Sequence, residues 1–234
     1  SPFDNPMYYH GPDNPGRTLQ ILWWQVVNYL QYFDWQWANG LAPTKPVFAP
    51  VRLPFTLAFS ALGIYGANEL RRRDRGVFWL LFLLFLTTGP VLLGYMNFKP
   101  GFSLAYDLWP GGENHEVRER DYFFTVSYQM WGLFAGLGLA GIYRALRDQF
   151  KDWRPASAVF VVAAIPFALN FRAASRAHGP DAQLARDFAY DLLQSVEPYG
   201  LLFTNGDNDT FPLWYLQEAE GVRQDVQVVN LSLV

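Results

Sequence analysis

The sequence predicts a mainly α-helical, polytopic membrane protein with four transmembrane helices and an interfacial amphipathic helix, followed by a truncated extracytoplasmic α/β (βαβ) domain. Three observations indicate this fold class. Long apolar runs recur as far as residue 171, and a helix needs ~20 apolar residues to cross a bilayer. Aromatic residues make up 18% of the chain and charged residues only 17%, as is typical where Trp and Tyr lie at both membrane surfaces. The remaining residues alternate short helical and strand patterns.

Composition excludes several kinds of function. The net charge of −3 argues against nucleic acid as a partner. The chain has no Cys, which excludes a disulfide, a zinc–thiolate site and a thiol nucleophile. Its three His residues are far apart, without the spacing of metal ligands. Residues 1–17 have the pattern of an irregular loop, with no signal peptide and no initiator Met. We therefore expect a piece of a longer chain or a processed product.

Residues 18–38 predict an amphipathic helix that lies in the membrane interface. Five large apolar residues share one side at helical spacing: Ile21, Trp24, Tyr29, Phe33 and Trp37. Five polar residues interrupt the run and make it a poor span: Gln20, Gln25, Asn28, Gln31 and Asp34. A helix packed on a soluble domain is the alternative, but the abundance of Trp and Tyr favours the interface.

Four apolar segments predict the transmembrane helices: 53–70, 77–95, 122–143 and 155–171. Gly89 and Pro90 predict a kink in the second span. In the third span, Gly132, Gly136 and Ala140 recur every four residues and form one small-residue face. Such a face allows a neighbouring helix to approach closely, so we expect this one to contact another span.

Basic residues predict the topology. The connectors 71–75 and 144–154 are rich in Arg, and positive loops face the cytoplasm. If all four segments cross, both connectors lie on the cytoplasmic side. Both termini, the 96–121 loop and the C-terminal domain are then extracytoplasmic.

The tail predicts a helix at 182–196, a strand at 201–204, a helix at 210–220 and a strand at 226–231. Strand, helix and strand in this order form a βαβ unit with a parallel pair. Two strands do not make a stable sheet, so we expect an incomplete domain or one completed by another chain. The predicted organisation is a loop with the interfacial helix (1–50), a four-helix transmembrane region (51–171) and the extracytoplasmic α/β domain (172–234).

The first candidate ligand site follows the first strand of the tail, where ligands of open α/β sheets bind. Its residues are Asn205, Asp207, Asn208 and Asp209. Asp207 and Asp209 are candidate ligands for a divalent cation, and the group also suits sugar hydroxyls. The alternative is structural, because Gly206 permits a turn, Asp209 or Thr210 caps the helix and Pro212 suits its first turn. Asp207 is the residue that capping explains least.

The second candidate site is the charged collar of Arg118, Glu119, Arg120 and Asp121 before the third span. One interpretation is a polar site at the membrane surface that binds a phosphate or a sugar, because guanidinium groups bind phosphate through paired hydrogen bonds. The other is a solvated cluster whose charges pair with one another where the span meets water.

Three segments carry a resemblance: WWQVVNYLQYFDWQWANG, EVRERDYFFTVSY and LLFTNGDNDTFPLWYLQEAEGVRQDVQVVNLSL. They resemble a bacterial membrane family of unassigned function whose eukaryotic relatives are transmembrane protein O-mannosyltransferases of the GT-C superfamily. The resemblance implies the bacterial inner (plasma) membrane. It also implies sugar transfer from a polyprenyl-phosphate-linked donor to protein on the extracytoplasmic side.

The resemblance covers only a middle segment of that family. GT-C enzymes carry their catalytic acid in the first extracytoplasmic loop, before the region that this chain matches, so no residue here is assigned as catalytic and we expect no transferase activity from the chain alone. The alternative is a truncated homologue that serves as a structural accessory subunit of a larger membrane complex, for example a respiratory or photosynthetic one. Expected partners are membrane lipids and other membrane helices or subunits. A transporter is disfavoured, because paired broken helices with central charges are missing from the sequence.

Overall fold

The computed structural model describes residues 18–42, 49–104, 115–116, 118–174 and 180–231. The described chain is mainly helical, with a small two-stranded sheet near its C-terminal end. It divides into two compact units, Ser1–Ala174 and Ser175–Val234. We call them unit 1 and unit 2 and describe each by itself.

Unit 1 contains the helices that the apolar segments predicted. They are α1 (Leu19–Ala38), α2 (Leu53–Arg73), α3 (Arg75–Leu86), α4 (Leu92–Met96), α5 (Thr125–Phe150), α6 (Trp153–Ser157) and α7 (Ala164–Ala174). A π-helical turn, Thr87–Val91, joins α3 to α4, and a 3-10 segment, Ala158–Ala163, joins α6 to α7. Each of these two joined pairs therefore forms one long helix.

Two helices in the described part of the chain are long and apolar enough to cross a membrane, Arg75–Met96 and Trp153–Ala173. Only 17% and 6% of their most apolar stretches are buried inside the protein, whereas a core helix of a soluble domain is mostly buried. The prediction of four transmembrane helices is not confirmed. The helices α2 and α5 contain several Gly and polar residues, which lower their hydropathy below that of a clear span.

The kink predicted at Gly89 and Pro90 appears as the π-helical turn Thr87–Val91. Proline has no N–H to donate to the preceding turn, and a wider turn accommodates its ring. The hydroxyl of Thr88 donates to Leu84 O at 2.7 Å, one turn before the break.

Helices α2 and α5 form the main contact of unit 1, and glycines on both sides allow it. Gly63 lies against Trp131, and Gly141 lies against the ring of Tyr65. The small face predicted at Gly132 and Gly136 is wrong as a contact, because both glycines have open space where a Cβ atom would lie. The buried face of α5 instead includes Phe134, Ala135, Gly138 and Gly141. Close packing through small residues was therefore predicted correctly, but on the wrong face of the helix.

The helix predicted at 18–38 is present as α1, and its aromatic side lies in the core of unit 1. Trp37 stacks on Phe59, with ring centroids 4.7 Å apart. Tyr29 donates or accepts a hydrogen bond with Ser127 of α5, with the oxygens 2.5 Å apart. Asn170 of α7 donates to Gln36 O at 2.8 Å and so caps the last turn of α1. The predicted position of α1 in the membrane interface stays a prediction.

The two arginine segments lie at the same end of unit 1. Helices α2 and α5 run parallel, because successive contacts advance along both, from Gly63 with Trp131 to Glu69 with Arg144. Glu69 also pairs with Arg73 at 3.4 Å. The opposite end, where α2 and α5 begin, carries the collar.

Unit 2 contains α8 (Leu184–Gln194), β1 (Leu201–Thr204), α9 (Asp207–Ala219) and β2 (Gln227–Asn230). The strands are parallel, with Leu201 opposite Gln227 and Thr204 opposite Asn230, as the βαβ pattern predicted. Helices α8 and α9 pack together over a core of Ala189, Leu193, Leu213, Leu216 and Val226. Within the described residues the sheet has two strands.

Candidate functional site

A stripe of polar residues along α1 organises the end of unit 1 that carries the collar. Gln25, Asn28, Gln31 and Asp34 are spaced by three residues, so each lies beside the next and together they form a stripe that winds around α1. All four are buried, with at most 6% of each residue exposed. The stripe is therefore not a solvated face, and its polar groups need partners inside the protein.

The stripe binds the segment that follows α4. Three hydrogen bonds join them: Gln25 Nε2 to Phe98 O at 2.8 Å, Gly101 N to Asn28 Oδ1 at 2.9 Å, and Gln31 Nε2 to Ser103 Oγ at 2.9 Å. Two of the three are made to backbone groups of a segment without regular structure, and buried backbone groups need hydrogen-bond partners. Side chains of α1 thus supply hydrogen bonds to residues 98–103 that a helix or a sheet would otherwise supply.

Glu119 of the collar also forms hydrogen bonds that hold the segment after α4 against α1. Its Oε2 accepts a hydrogen bond from Tyr32 at 2.6 Å, and its Oε1 accepts one from Ser103 N at 3.0 Å. Burial raises the pKa of Tyr32, and the negative charge of Glu119 raises that pKa further. The Tyr32 hydroxyl therefore stays protonated and donates a hydrogen bond to the Glu119 carboxylate.

Arg120 of the collar pairs with Glu116, four residues earlier in the chain, at 3.0 Å. Glu116 is 4% exposed, and its other oxygen accepts from Lys99 N at 3.2 Å. The Arg120 guanidinium also lies 5.5 Å from the ring centroid of Phe98. Arg120 therefore pairs with Glu116, a carboxylate outside the four predicted collar residues. Pairing of the four charges with one another stays a prediction.

Arg118 and Asp121 are the two collar residues that take no part in the contacts described above. Arg118 is exposed and lies 5.7 Å from the ring centroid of Tyr122. Asp121 is half-buried, and both burial and the nearby Glu119 raise the pKa of its carboxyl. The structure therefore gives Glu119 and Arg120 partners inside the protein and leaves Arg118 exposed. Binding of phosphate or sugar by the collar stays a prediction.

A buried ion pair that includes Asp34 of the stripe was missed by sequence reasoning. Arg52 Nε lies 2.7 Å from Asp34 Oδ2, with side-chain exposures of 0% and 1%. Thr56 donates to the other oxygen of Asp34 at 2.6 Å. The pair fixes the start of α2 against α1, and removing one partner would leave a buried charge uncompensated. The available signal was a lone carboxylate in a helix dominated by aromatic residues.

The candidate site in unit 2 has the geometry of a helix cap. Asp209 accepts hydrogen bonds from Gly206 N at 3.1 Å and from Asn205 N at 3.2 Å. Helix α9 begins at Asp207, three residues before its predicted start. Asp207 and Asn208 are exposed in its first turn. The carboxylate of Asp209 thus caps from inside the helix.

Two further details of this loop differ from expectation. Pro212 is the sixth residue of α9 and not part of its first turn, because Gly206, and not Asp209 or Thr210, is the N-cap residue. Thr210 is completely buried, and its hydroxyl lies 2.7 Å from that of Thr204 and 3.0 Å from Asn230 Nδ2. Thr210 therefore joins the ends of both strands to α9.

The capping contacts explain Asp209 but not Asp207. Across the part of the chain that the structure describes, no three His, Asp or Glu residues lie together as metal ligands. A divalent cation at Asp207 and Asp209 would need further ligands from the sugar or phosphate that it accompanies. Binding by Asn205, Asp207, Asn208 and Asp209 stays a prediction.

Comparison with known proteins adds one relationship. No curated protein and no solved structure matches the chain. Residues 185–234 match the family model described as TMEM260-associated domain 2. The match begins inside α8 and covers α9 and both strands, so it includes most of the described residues of unit 2.

Proposed function

We propose that this chain is a segment of a GT-C-like membrane glycosyltransferase homologue, which transfers a sugar from a polyprenyl-phosphate donor to protein. The observation that carries the proposal is the match of residues 185–234 to TMEM260-associated domain 2. The same tail carries the resemblance to transmembrane protein O-mannosyltransferases. The chain supplies a membrane scaffold and an extracytoplasmic domain, and the catalytic acid comes from outside the matched segment.

In this proposal α2 and α5 also cross the membrane, which gives four spans. Their lengths of 21 and 26 residues correspond to about 31 and 39 Å of helix. Residues such as Ile64, which is 63% exposed, and Leu133, which is 50% exposed, then face lipid. The arginine segments mark the cytoplasmic end, and the collar lies at the extracytoplasmic end of a bacterial inner membrane.

Cysteine labelling tests the topology, since the chain has no Cys of its own. Cysteines replace Gly76, Arg118 and Tyr199 one at a time, and all three positions are exposed. An impermeant maleimide added to intact cells is expected to label Cys at positions 118 and 199. It is expected to label position 76 only after the membrane is opened. The reverse pattern would overturn the topology.

Depletion tests the function. An antibody against residues 185–234 is used to remove the protein from detergent-solubilised membranes of its source. Transfer of radiolabelled sugar from polyprenyl-phosphate donors to acceptor protein is then measured. We expect transfer activity to fall in proportion to depletion and to return when the eluted fraction is added back. Undiminished transfer, with loss of a respiratory or photosynthetic complex instead, would favour the accessory-subunit alternative.

A further inference from the structure

Six arginines gather at the end of unit 1 where α2 and α5 terminate. They are Arg71, Arg72, Arg73, Arg75, Arg144 and Arg147, and we call this surface the arginine end. Three carboxylates lie among them, Glu69, Asp74 and Asp148, so the surface has a net charge of +3. Glu69 is shared between Arg73 and Arg144. The carboxylate of Asp74 accepts from Val77 N at 3.0 Å as the cap of α3.

Half of these arginines have no carboxylate partner. In the described part of the chain, Arg71, Arg72 and Arg75 form no ion pair, and all three are exposed. The opposite end of unit 1 differs, because Arg52 and Arg120 there are paired with Asp34 and Glu116. Arg118 is also exposed at that end, so exposed arginines are concentrated at the arginine end but are not confined to it.

An apolar groove runs toward the arginine end along the seam between α2 and α5. It is lined by Ala61, Leu62, Tyr65 and Ile142, and its volume is about 340 Å³. Arg72 follows Tyr65 by two helical turns on the same side of α2, about 10 Å along the axis. The groove therefore leads from apolar side chains to an exposed guanidinium within the length of one lipid molecule.

We propose that this groove is a binding site for an anionic glycerophospholipid. One acyl chain lies in the groove, and the phosphate lies at the arginine end, where Arg72 and Arg144 donate hydrogen bonds to it. The charge of the surface selects an anionic headgroup, because guanidinium groups bind phosphate oxygens with paired N–H donors. The apolar groove selects a molecule with a chain, which free phosphate lacks. The site requires membrane embedding, but it does not depend on glycosyl transfer.

Native mass spectrometry of the full chain in a non-ionic detergent tests this proposal. Phosphatidylglycerol and phosphatidylcholine with identical acyl chains are added in equal amounts. We expect the wild-type chain to retain phosphatidylglycerol preferentially. The variants Arg72→Gln and Arg144→Gln are each expected to lose about fivefold in the ratio of bound phosphatidylglycerol to phosphatidylcholine. The control Arg172→Gln removes an exposed arginine outside the arginine end and is expected to keep the wild-type ratio.

A second pair of variants tests the groove. Ala61→Trp fills it and is expected to reduce binding of both lipids, whereas Leu133→Trp on an exposed face of α5 is expected to leave binding unchanged. Thermal melts in detergent verify that every variant is folded. Equal retention of the two lipids by the wild type would overturn the proposal.

Two other results would also overturn it. One is displacement of bound lipid by an equal concentration of inorganic phosphate or glycerophosphoglycerol, which would indicate a phosphate site without a chain. The other is a dimer that Ala61→Trp dissociates while lipid binding stays unchanged. That result would indicate a second copy of the chain in the groove.

Discussion

Gly66 of α2 and Gly138 of α5 lie against each other where the two helices cross. A Cβ atom on Gly66 would lie 1.8 Å from Phe134 O and 2.5 Å from Gly138 N, and one on Gly138 would lie 2.3 Å from Leu62 O. These are backbone atoms that no side-chain rotation can move. The close approach of α2 and α5 therefore requires glycine at both positions.

Gly66→Ala is expected to destabilise unit 1. The added methyl must separate the two helices, and overpacking of this kind costs about 1–3 kcal/mol. Gly136→Ala is the matched control on the same helix pair, because a Cβ atom there meets open space and alanine favours the helix. Thermal melts in detergent should show a lower midpoint for Gly66→Ala and an equal or higher one for Gly136→Ala. Equal loss in both would contradict the packing described for α5.

Glu119→Gln is expected to loosen the segment that follows α4. The amide supplies two N–H donors where Tyr32 and Ser103 N need acceptors, so one buried group loses its partner at a cost of about 1–3 kcal/mol. Arg118→Gln is the control, because that side chain is exposed. Hydrogen-exchange mass spectrometry of residues 98–104 should show faster exchange in Glu119→Gln alone. The same exchange rate in both variants would show that Glu119 does not hold this segment in place.

Asp209→Ala and Asp207→Asn separate capping from ligand binding in unit 2. Loss of the Asp209 cap is expected to cost about 1 kcal/mol. Asp207→Asn is expected to leave the stability of the free protein unchanged, because Asp207 is exposed and asparagine keeps a hydrogen-bonding oxygen. The measurement is a thermal melt with and without a divalent cation and a polyprenyl-phosphate-linked sugar. A ligand-induced shift that Asp207→Asn abolishes would identify a binding site, whereas no shift in any of the variants would leave only the cap.

Asp225 is expected to make unit 2 sensitive to acid. Hydrogen bonds from Arg223 lower the pKa of Asp225 to about 2, whereas the pKa of an Asp carboxyl in an unfolded chain is about 4. Between these values the unfolded state binds more protons, so this contribution is complete above about pH 4 and disappears as the pH falls through about 2. Urea unfolding followed by pulsed hydrogen exchange of residues 184–231 measures it. Asp225→Asn should lack this pH-dependent component, and an identical pH profile in both proteins would exclude the Arg223 interaction as its source.

Local patterns in the sequence determined the helices and strands of this protein. The strand at 201–204 and the helix at 18–38 follow from hydrophobic period and from nearby turn residues, which act within a few positions of one another. The break at Gly89 and Pro90 follows from the missing N–H of proline. Each of these features depends on covalent neighbours, so a single sequence contains the information.

Only the tertiary structure decided which faces of those helices are in contact. The regular spacing of Gly132 and Gly136 identified a small face on α5, but Gly138 and Gly141 meet α2, because the partner's own glycines determine the crossing point. The polar stripe of α1 could be recognised from its spacing of three residues, yet its partner lies 73 positions away at Phe98. Contacts between segments so distant in sequence depend on how the intervening helices pack, and no local pattern records that.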